Sequence, residues 1–303
     1  MHIRLFRFLS GGLVVLVLLA GCVDSPASPA VTDTPVPSIT LTPTEIPSPT
    51  PTPQPLALVI NGEGVPLSEY EASLKQLQEA QAEMGMTSTP EEQRRMVLDD
   101  LIAATLLAQE AFRQGFTLND ADLDARITAL AEQRGGMPAL QEWMSRMGYD
   151  ESSFRSALRR SLAAAWMRDT LAAQVPERAE QVHARQILLM TEATAKQVLN
   201  QIRAGANFAT LAFGYDLTTG GDLGWFPRGY LTQPAVEEAA FALQPGEVSD
   251  IIQTELGYHI LQVVERETDR PLSPDARLTL QRKALEAWLE QARSQARIEE
   301  RVP

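Results

Sequence analysis

The sequence has very few of the residues that carry covalent or metal chemistry. Among 303 residues there is one cysteine, Cys22, and three histidines, of which His2 lies in the first 21 residues. A single cysteine excludes an internal disulfide and cysteine-ligated zinc. Neither His183 nor His259 lies beside a nucleophile motif, and the sequence has no Gly-Lys phosphate loop and no cluster of histidines with carboxylates. We therefore expect no Ser-His-Asp hydrolase, no metal site and no cofactor.

Positive charge is also scarce. The chain has 26 lysines and arginines against 39 acidic residues, which gives a formal charge of −13. Without residues 1–21, which contain Arg4 and Arg7, the charge is −15. This balance makes nucleic acid an unexpected partner. A solvated surface explains the acidity most simply, and attraction of basic partners is the alternative.

The first 21 residues have the pattern of a secretory signal. Arg4 and Arg7 precede an apolar run at 13–19, and small residues in the sequence LAGC end at Cys22. This ending resembles the lipobox of bacterial lipoproteins, which implies cleavage before Cys22 and a lipid on that cysteine. A plain signal anchor with an incidental cysteine is the alternative. We expect a signal peptide at 1–21 and an extracytoplasmic protein that is attached to a membrane through Cys22.

Residues 22–55 have the composition of a tether. Ten of the chain's twenty prolines lie in residues 26–55, among threonines and serines and with hardly any large apolar side chain. Such a segment cannot build a core. Extended polyproline chain rises roughly 3.1 Å per residue, so about thirty residues reach up to ~100 Å.

Residues 56–178 are predicted to form a helical domain after a small hairpin at 56–65. Amphipathic spacing and start signals predict five helices. The start signals are capping boxes at Ser68 with Glu71 and at Thr89 with Glu92, and N-caps at Asn119 and Asp150. The predicted helices run from 68 to about 84 and over 90–114, 120–133, 138–147 and 151–174.

From residue 179 the pattern changes to short strands and helices, with the last two strands predicted at 248–253 and 257–265, which indicates a compact α+β domain at 179–267. A last amphipathic helix, predicted from Ser273 to about 299, belongs to a final segment at 268–303 and has an apolar stripe that needs a partner. We expect it to pack on the N-terminal helices, and a dimer contact is the alternative. Within 179–267 four motifs follow one another: GGDLGWF at 220–226, EEAAF at 237–241, GEVS at 246–249 and GYHI at 257–260.

These motifs, in this order and spacing, resemble the parvulin-type peptidyl-prolyl isomerases. The resemblance implies a four-stranded antiparallel sheet with surrounding helices. The VING start and the helical region are more loosely similar to the N-terminal part of SurA- and PrsA-like foldases, and the last helix would complete that domain. The expected fold class is therefore α+β, with a parvulin-like domain added to an all-helical chaperone domain.

Isomerisation of an X-Pro bond crosses a barrier of about 20 kcal/mol because amide resonance is lost in the twisted transition state. No covalent step is required, so an apolar slot for the proline ring and polar groups that favour the twisted amide suffice. The resemblance assigns both sets. The polar set is Gln186, Asp216, Thr254 and His259, and the apolar set is Leu223, Phe226, Leu231 and Val236.

Two positions depart from the family pattern. Gln186 occupies the place of the family's first histidine, and the loop after Asp216 is shorter than usual. His183 points to the opposite face from residue 186 unless a bulge intervenes, so we interpret it as an exposed strand-edge residue. Glutamine can donate and accept hydrogen bonds but cannot titrate. Because isomerisation needs no proton transfer, we expect activity to survive in weakened form.

Two functions fit the sequence. The first is an isomerase and foldase that acts on unfolded exported proteins with X-Pro bonds. The second is a non-catalytic holdase that keeps the parvulin fold as a peptide-binding module. Methionines concentrated in the helical part favour the second function, although core packing explains most of them. The sequence does not indicate an oligomeric state.

Overall fold

The computed structural model describes residues 54–302. The predicted signal peptide, Cys22 and all of the predicted tether except its last two residues lie outside the described residues. Across 54–302, no helix is long and apolar enough to span a bilayer. The described chain has a helical region, a mixed α/β region and a C-terminal helix that contacts both.

The helical region begins with a tight hairpin, as predicted. Asn61, with φ of 52°, and Gly62, with φ of 89°, form its turn. The apolar residues of the hairpin are buried against the first two helices, in a core that includes Leu58, Leu98 and Ile102. The elements are β1 (Leu56–Ile60), β2 (Glu63–Pro66), α1 (Leu67–Glu83), α2 (Pro90–Arg113), α3 (Asp120–Gln133), α4 (Met137–Met147) and α5 (Glu151–Ala173).

Three of the four predicted helix starts are confirmed. Thr89 and Glu92 form a complete capping box on α2, and the side chains of Asn119 and Asp150 accept hydrogen bonds from backbone amides at the starts of α3 and α5. The predicted capping box of Ser68 is wrong. The N-cap of α1 is Pro66, which makes no side-chain capping bond, because the chain enters the helix directly from the β2 strand.

One buried ion pair links the hairpin end of the helical region to α5. Arg160 Nη1 donates to Glu69 Oε1 over 2.6 Å, and both side chains are almost fully buried. Burial raises the pKa of Glu69, and the positive charge of Arg160 opposes that effect. Glu63 lies at the edge of the pair, 3.7 Å from Arg160 Nε.

The α/β region contains an antiparallel sheet of four strands in the order β4-β3-β6-β5. The helices α6 and α7 cover one face at Ile187 and Ile260, and α8 covers the other face at Val182 and Leu261. The elements are β3 (Arg178–Leu189), α6 (Glu192–Arg203), α7 (Phe208–Tyr215), β4 (Asp222–Pro227), α8 (Pro234–Ala242), β5 (Ile252–Thr254) and β6 (Gly257–Pro271).

Two strands differ from the prediction. β6 continues to Pro271 rather than ending near 265, because its far end stays paired with the start of β3. The predicted strand at 248–253 is reduced to β5, and Val248 makes a single bridge to Gln262.

The C-terminal segment returns to the helical region. The helix α9 (Pro274–Gln295) packs through Leu285, Trp288 and Leu289 on the core formed by α2 and α5. It ends four residues earlier than predicted, because the following strand β7 (Ile298–Glu300) pairs antiparallel with β1. The helical region therefore contains a three-stranded sheet, in the order β2-β1-β7, that the sequence analysis did not predict.

Candidate active site

Three of the four predicted polar residues form one hydrogen-bonded chain. Gln186 on β3 and His259 on β6 point to the sheet face that α8 covers, and Thr254 ends the adjacent strand β5. His259 Nδ1 lies 2.9 Å from Gln186 Oε1, and His259 Nε2 lies 2.8 Å from Thr254 Oγ1. The fold thus brings Gln186, His259 and Thr254 into direct contact.

The partners of His259 define its protonation. Gln186 Oε1 can only accept, so Nδ1–H of His259 donates to it, and the Nε2 of the neutral ring then accepts from the Thr254 hydroxyl. Thr254 Oγ1 also accepts from the Leu256 amide at 3.1 Å, which fixes the hydroxyl. His259 is 2% exposed, and burial lowers its pKa. The ring is therefore neutral near pH 7.

Asp216, the fourth predicted polar residue, makes its hydrogen bonds within its own loop. Its carboxylate accepts from the Thr218 and Thr219 amides, from the Thr219 hydroxyl and from the Gly221 amide. These bonds, led by the Thr219 hydroxyl, lower the pKa of Asp216 to about 2. The carboxylate is therefore ionised near neutral pH, and it organises the loop at 216–221.

Gly221 connects this loop to the polar chain. Its carbonyl accepts a 2.8 Å hydrogen bond from the backbone N–H of Gln186. Its φ is +74°, and a Cβ atom there would lie 2.0 Å from the Gln186 carbonyl oxygen. Only glycine fits this approach. The Asp216 side chain is linked to Gln186 through the backbone of Gly221, whose amide it binds, and not by a direct side-chain contact.

The four predicted apolar residues share one cluster at two depths. Phe226 and Val236 are buried, and the Phe226 ring lies 6.0 Å from that of Phe241. Leu223 and Leu231 are half-buried and pack against the same cluster. The two leucines can contact a ligand directly, whereas Phe226 and Val236 support them from below.

The interpretation of His183 as an exposed edge residue is wrong. β3 is an inner strand between β4 and β6, and His183 is half-buried. Its Nε2 lies 2.7 Å from Asp222 Oδ1, and its ring lies 5.7 Å from that of Trp225. Bulges occur beside it, but they lie on the partner strands, so His183 remains on the face opposite Gln186.

The sequence analysis missed two residues of this surface. Glu237 on α8 accepts from the backbone amides of Gly229 at 2.6 Å and Leu231 at 2.9 Å, which orients the loop that carries Leu231. Its position in the EEAAF motif, in the first turn of a predicted helix, could have identified Glu237 as a residue that binds backbone amides. Leu188 is the residue opposite His259 on β3 and is exposed. Its exposure could not be read from an apolar strand sequence.

Two family models match this chain over separate segments. Residues 175–265, which contain the polar chain and the apolar cluster, match the PPIC-type PPIase domain. Residues 46–168 match the SurA-like N-terminal domain. The two segments correspond to the α/β region and to the helical region.

Named relatives are similar over these same parts. The foldase protein PrsA of Caldanaerobacter subterraneus is 29% identical over 67% of this chain and 71% of its own length. The chaperone SurA of Bordetella avium is 39% identical over 43% of this chain, but the match spans only 30% of that protein. The crystal structure of PrsA from Bacillus anthracis is 24% identical, covers 65% of this chain and 94% of that one, and gives a TM-score of 0.42.

Proposed function

Because the chain contains a PPIC-type PPIase domain preceded by a SurA-like N-terminal domain, we propose that it is a peptidyl-prolyl cis-trans isomerase and foldase. Its substrates in this proposal are unfolded exported proteins that contain X-Pro bonds. The observation that carries the proposal is the Gln186–His259–Thr254 chain beside the half-buried Leu223 and Leu231, inside the matched domain.

The geometry suits a reaction without covalent chemistry. Leu223 and Leu231 offer apolar surface to the proline ring, and the neutral polar chain offers fixed dipoles to the twisted amide. Both nitrogens of His259 are occupied, so His259 positions Gln186 and Thr254 rather than transferring a proton. In this proposal the Nε2 amide of Gln186 donates to the substrate, since its Oε1 is held by His259.

The proposal is tested by two-dimensional NMR exchange on a panel of proline peptides. We expect catalysed cis/trans exchange that falls about tenfold or more in His259→Ala, because Gln186 and Thr254 then lose their common partner. His183→Ala is the matched control, since His183 lies on the other face of the sheet and should keep most of the rate. Exchange in the wild-type protein that is no faster than in buffer would contradict the proposal.

We also propose where the protein acts and how it is divided. The division is a signal peptide at 1–21, a tether at 22–55, a chaperone domain at 56–178, an isomerase domain at 179–267 and a C-terminal segment at 268–303. The lipobox-like sequence supports an extracytoplasmic location with a lipid on Cys22. Detergent phase partition tests this, and Cys22→Ala should move the protein to the aqueous phase. An unchanged distribution would refute the anchor.

One observation favours holdase activity as a second candidate. Met84, Met86 and Met96, near the junction of α1 and α2, are each more than 40% exposed, and flexible thioethers adapt to varied apolar chains. If the helical domain holds clients, the full chain with His259→Ala should suppress client aggregation as well as the wild type. A parallel loss of both activities would count against this candidate.

A further inference from the structure

The helix α9 contacts both functional regions along its length. Its C-terminal half is part of the helical core through Leu285, Trp288 and Leu289, and Arg293 Nη2 donates to Asp99 Oδ1 over 2.9 Å. Its N-terminal half lies against the isomerase domain. The same rigid element therefore joins the helical core to residues close to the candidate active site.

The isomerase residues that α9 contacts belong to the loop at 228–233, which we call the Leu231 loop. Lys283 Nζ donates to the Leu231 carbonyl over 3.2 Å. Tyr230 donates its hydroxyl to Asp275 Oδ2 over 2.6 Å, a bond that raises the pKa of Tyr230. A Cβ atom at Gly229 would lie 3.1 Å from Leu280 Cδ2, so the backbone itself approaches the helix closely.

Glu237 of α8 holds the same loop from the other side, through the two backbone amides described above. The carbonyl of Leu231 is thus fixed by α9 and its amide by α8. The half-buried Leu231 side chain packs on the cluster that contains Phe226 and Val236. The position of its loop depends partly on Asp275 and Lys283, which lie outside the isomerase domain.

We propose that Asp275 and Lys283 are positioning residues of the isomerase, which hold the Leu231 loop so that Leu231 meets the proline ring. This inference rests on the proposed function, because it assigns Leu231 to substrate binding. It extends that function by making affinity for proline depend on a helix that belongs to the helical core. The chemistry of the twisted amide, at Gln186 and Thr254, is not altered by these contacts.

The test separates KM from kcat in the full chain. We expect Lys283→Met combined with Asp275→Ala to raise KM for a proline peptide about three- to tenfold, the loss typical of one or two hydrogen bonds, with kcat within about twofold. Lys283→Arg keeps a hydrogen-bond donor, so this single variant should keep a KM close to that of the wild-type protein. Lys196→Met is the matched control, since Lys196 is exposed on α6, away from the Leu231 loop, and pairs with Glu192 of the same helix.

The outcomes are distinguishable. Unchanged KM in the double variant, with active wild-type protein, would overturn this inference and leave the proposed function intact. A fall in kcat together with a lower melting temperature would also overturn it, because the residues would then be merely structural. Wild-type protein without catalysed exchange would overturn the proposed function and this inference with it.

Discussion

The helical domain and the isomerase domain bury their polar groups in different ways. The helical domain encloses a charged pair, Arg160 with Glu69, whose members depend on each other. The isomerase domain encloses a neutral chain, in which His259 joins Gln186 to Thr254. Removing one member of a buried ion pair leaves the other charge uncompensated, which lowers the stability of the protein strongly. A neutral hydrogen-bonded network keeps a titratable ring uncharged, so that the ring can orient its neighbours. The ion pair stabilises the fold, whereas the neutral chain positions polar groups of the candidate site.

The strongest test of this contrast is Glu69→Gln. It leaves the guanidinium of Arg160 buried with the half-exposed Glu63, 3.7 Å from Nε, as its remaining counter-charge, so we expect the free energy of unfolding to fall by about 3–5 kcal/mol. Urea denaturation followed by circular dichroism measures the loss. Glu192→Gln is the matched control, because it breaks an exposed pair with Lys196 and should cost less than about 1 kcal/mol. If the free energy of unfolding fell equally in the two variants, the buried pair would contribute no more to stability than the exposed pair.

The second test concerns the close approach of Gly221 in the isomerase domain. Gly221→Ala places a methyl group against the Gln186 carbonyl at a positive φ, so we expect a loss of about 2–4 kcal/mol from strain and overpacking. Catalysed exchange should fall as well, because Gln186 must move. Gly224→Ala is the matched control, since Gly224 also has a positive φ but no atom within 4 Å of the added carbon. We expect only about 1–2 kcal/mol there, and a similar loss at both positions would contradict the clash.

A third test compares two helix starts in the helical domain. Thr89→Ala removes the capping box of α2 and should lower the free energy of unfolding by about 1 kcal/mol. Ser68→Ala near the start of α1 should change it by less than about 0.5 kcal/mol, because Ser68 makes no capping bond. Thermal unfolding of the two variants measures the difference. A loss at Ser68 that matches the loss at Thr89 would mean that the capping box forms in solution.

The smallest expected effect is a pH dependence of stability. Burial lowers the pKa of His259 in the folded protein, so between that lowered pKa and the unfolded value near 6.5 the unfolded chain binds more protons. Stability is therefore full above about pH 6.5 and falls as the pH drops through this window. Denaturation at pH 7.5 and 5.5 measures the fall, and His259→Gln should reduce it. An unchanged fall in that variant would assign the effect to other groups.

Local signals in the sequence predicted much of the helical domain. Thr89, Asn119 and Asp150 were identifiable because a capping side chain bonds only within its own first turn. The predicted capping box at Ser68 was wrong because the preceding strand, and not the local sequence, determines how the chain enters α1. Strand β7 was missed because its three residues pair with β1, more than two hundred residues away. Such a short strand has no periodicity of its own to be detected.

The candidate site was predictable to a different degree. The family resemblance assigned Gln186, Thr254 and His259 to the polar set, and the structure places them in contact. Their order along one chain of hydrogen bonds, and the use of the Asp216 carboxylate within its loop, depend on tertiary geometry that no spacing encodes. The position of His183 was misjudged because a strand's place in the sheet depends on its pairing partners. The support of Leu231 from α9 had no local signal.

The pairing of β7 with β1 has a consequence for the order of synthesis. The first strand of the helical domain emerges early during synthesis, but its partner follows only after more than two hundred further residues. The isomerase segment is contiguous and can close on its own contacts before that moment. Long-range pairing delays folding because the intervening loop must first be closed. The four-stranded sheet can therefore close before the β2-β1-β7 sheet of the helical domain is complete.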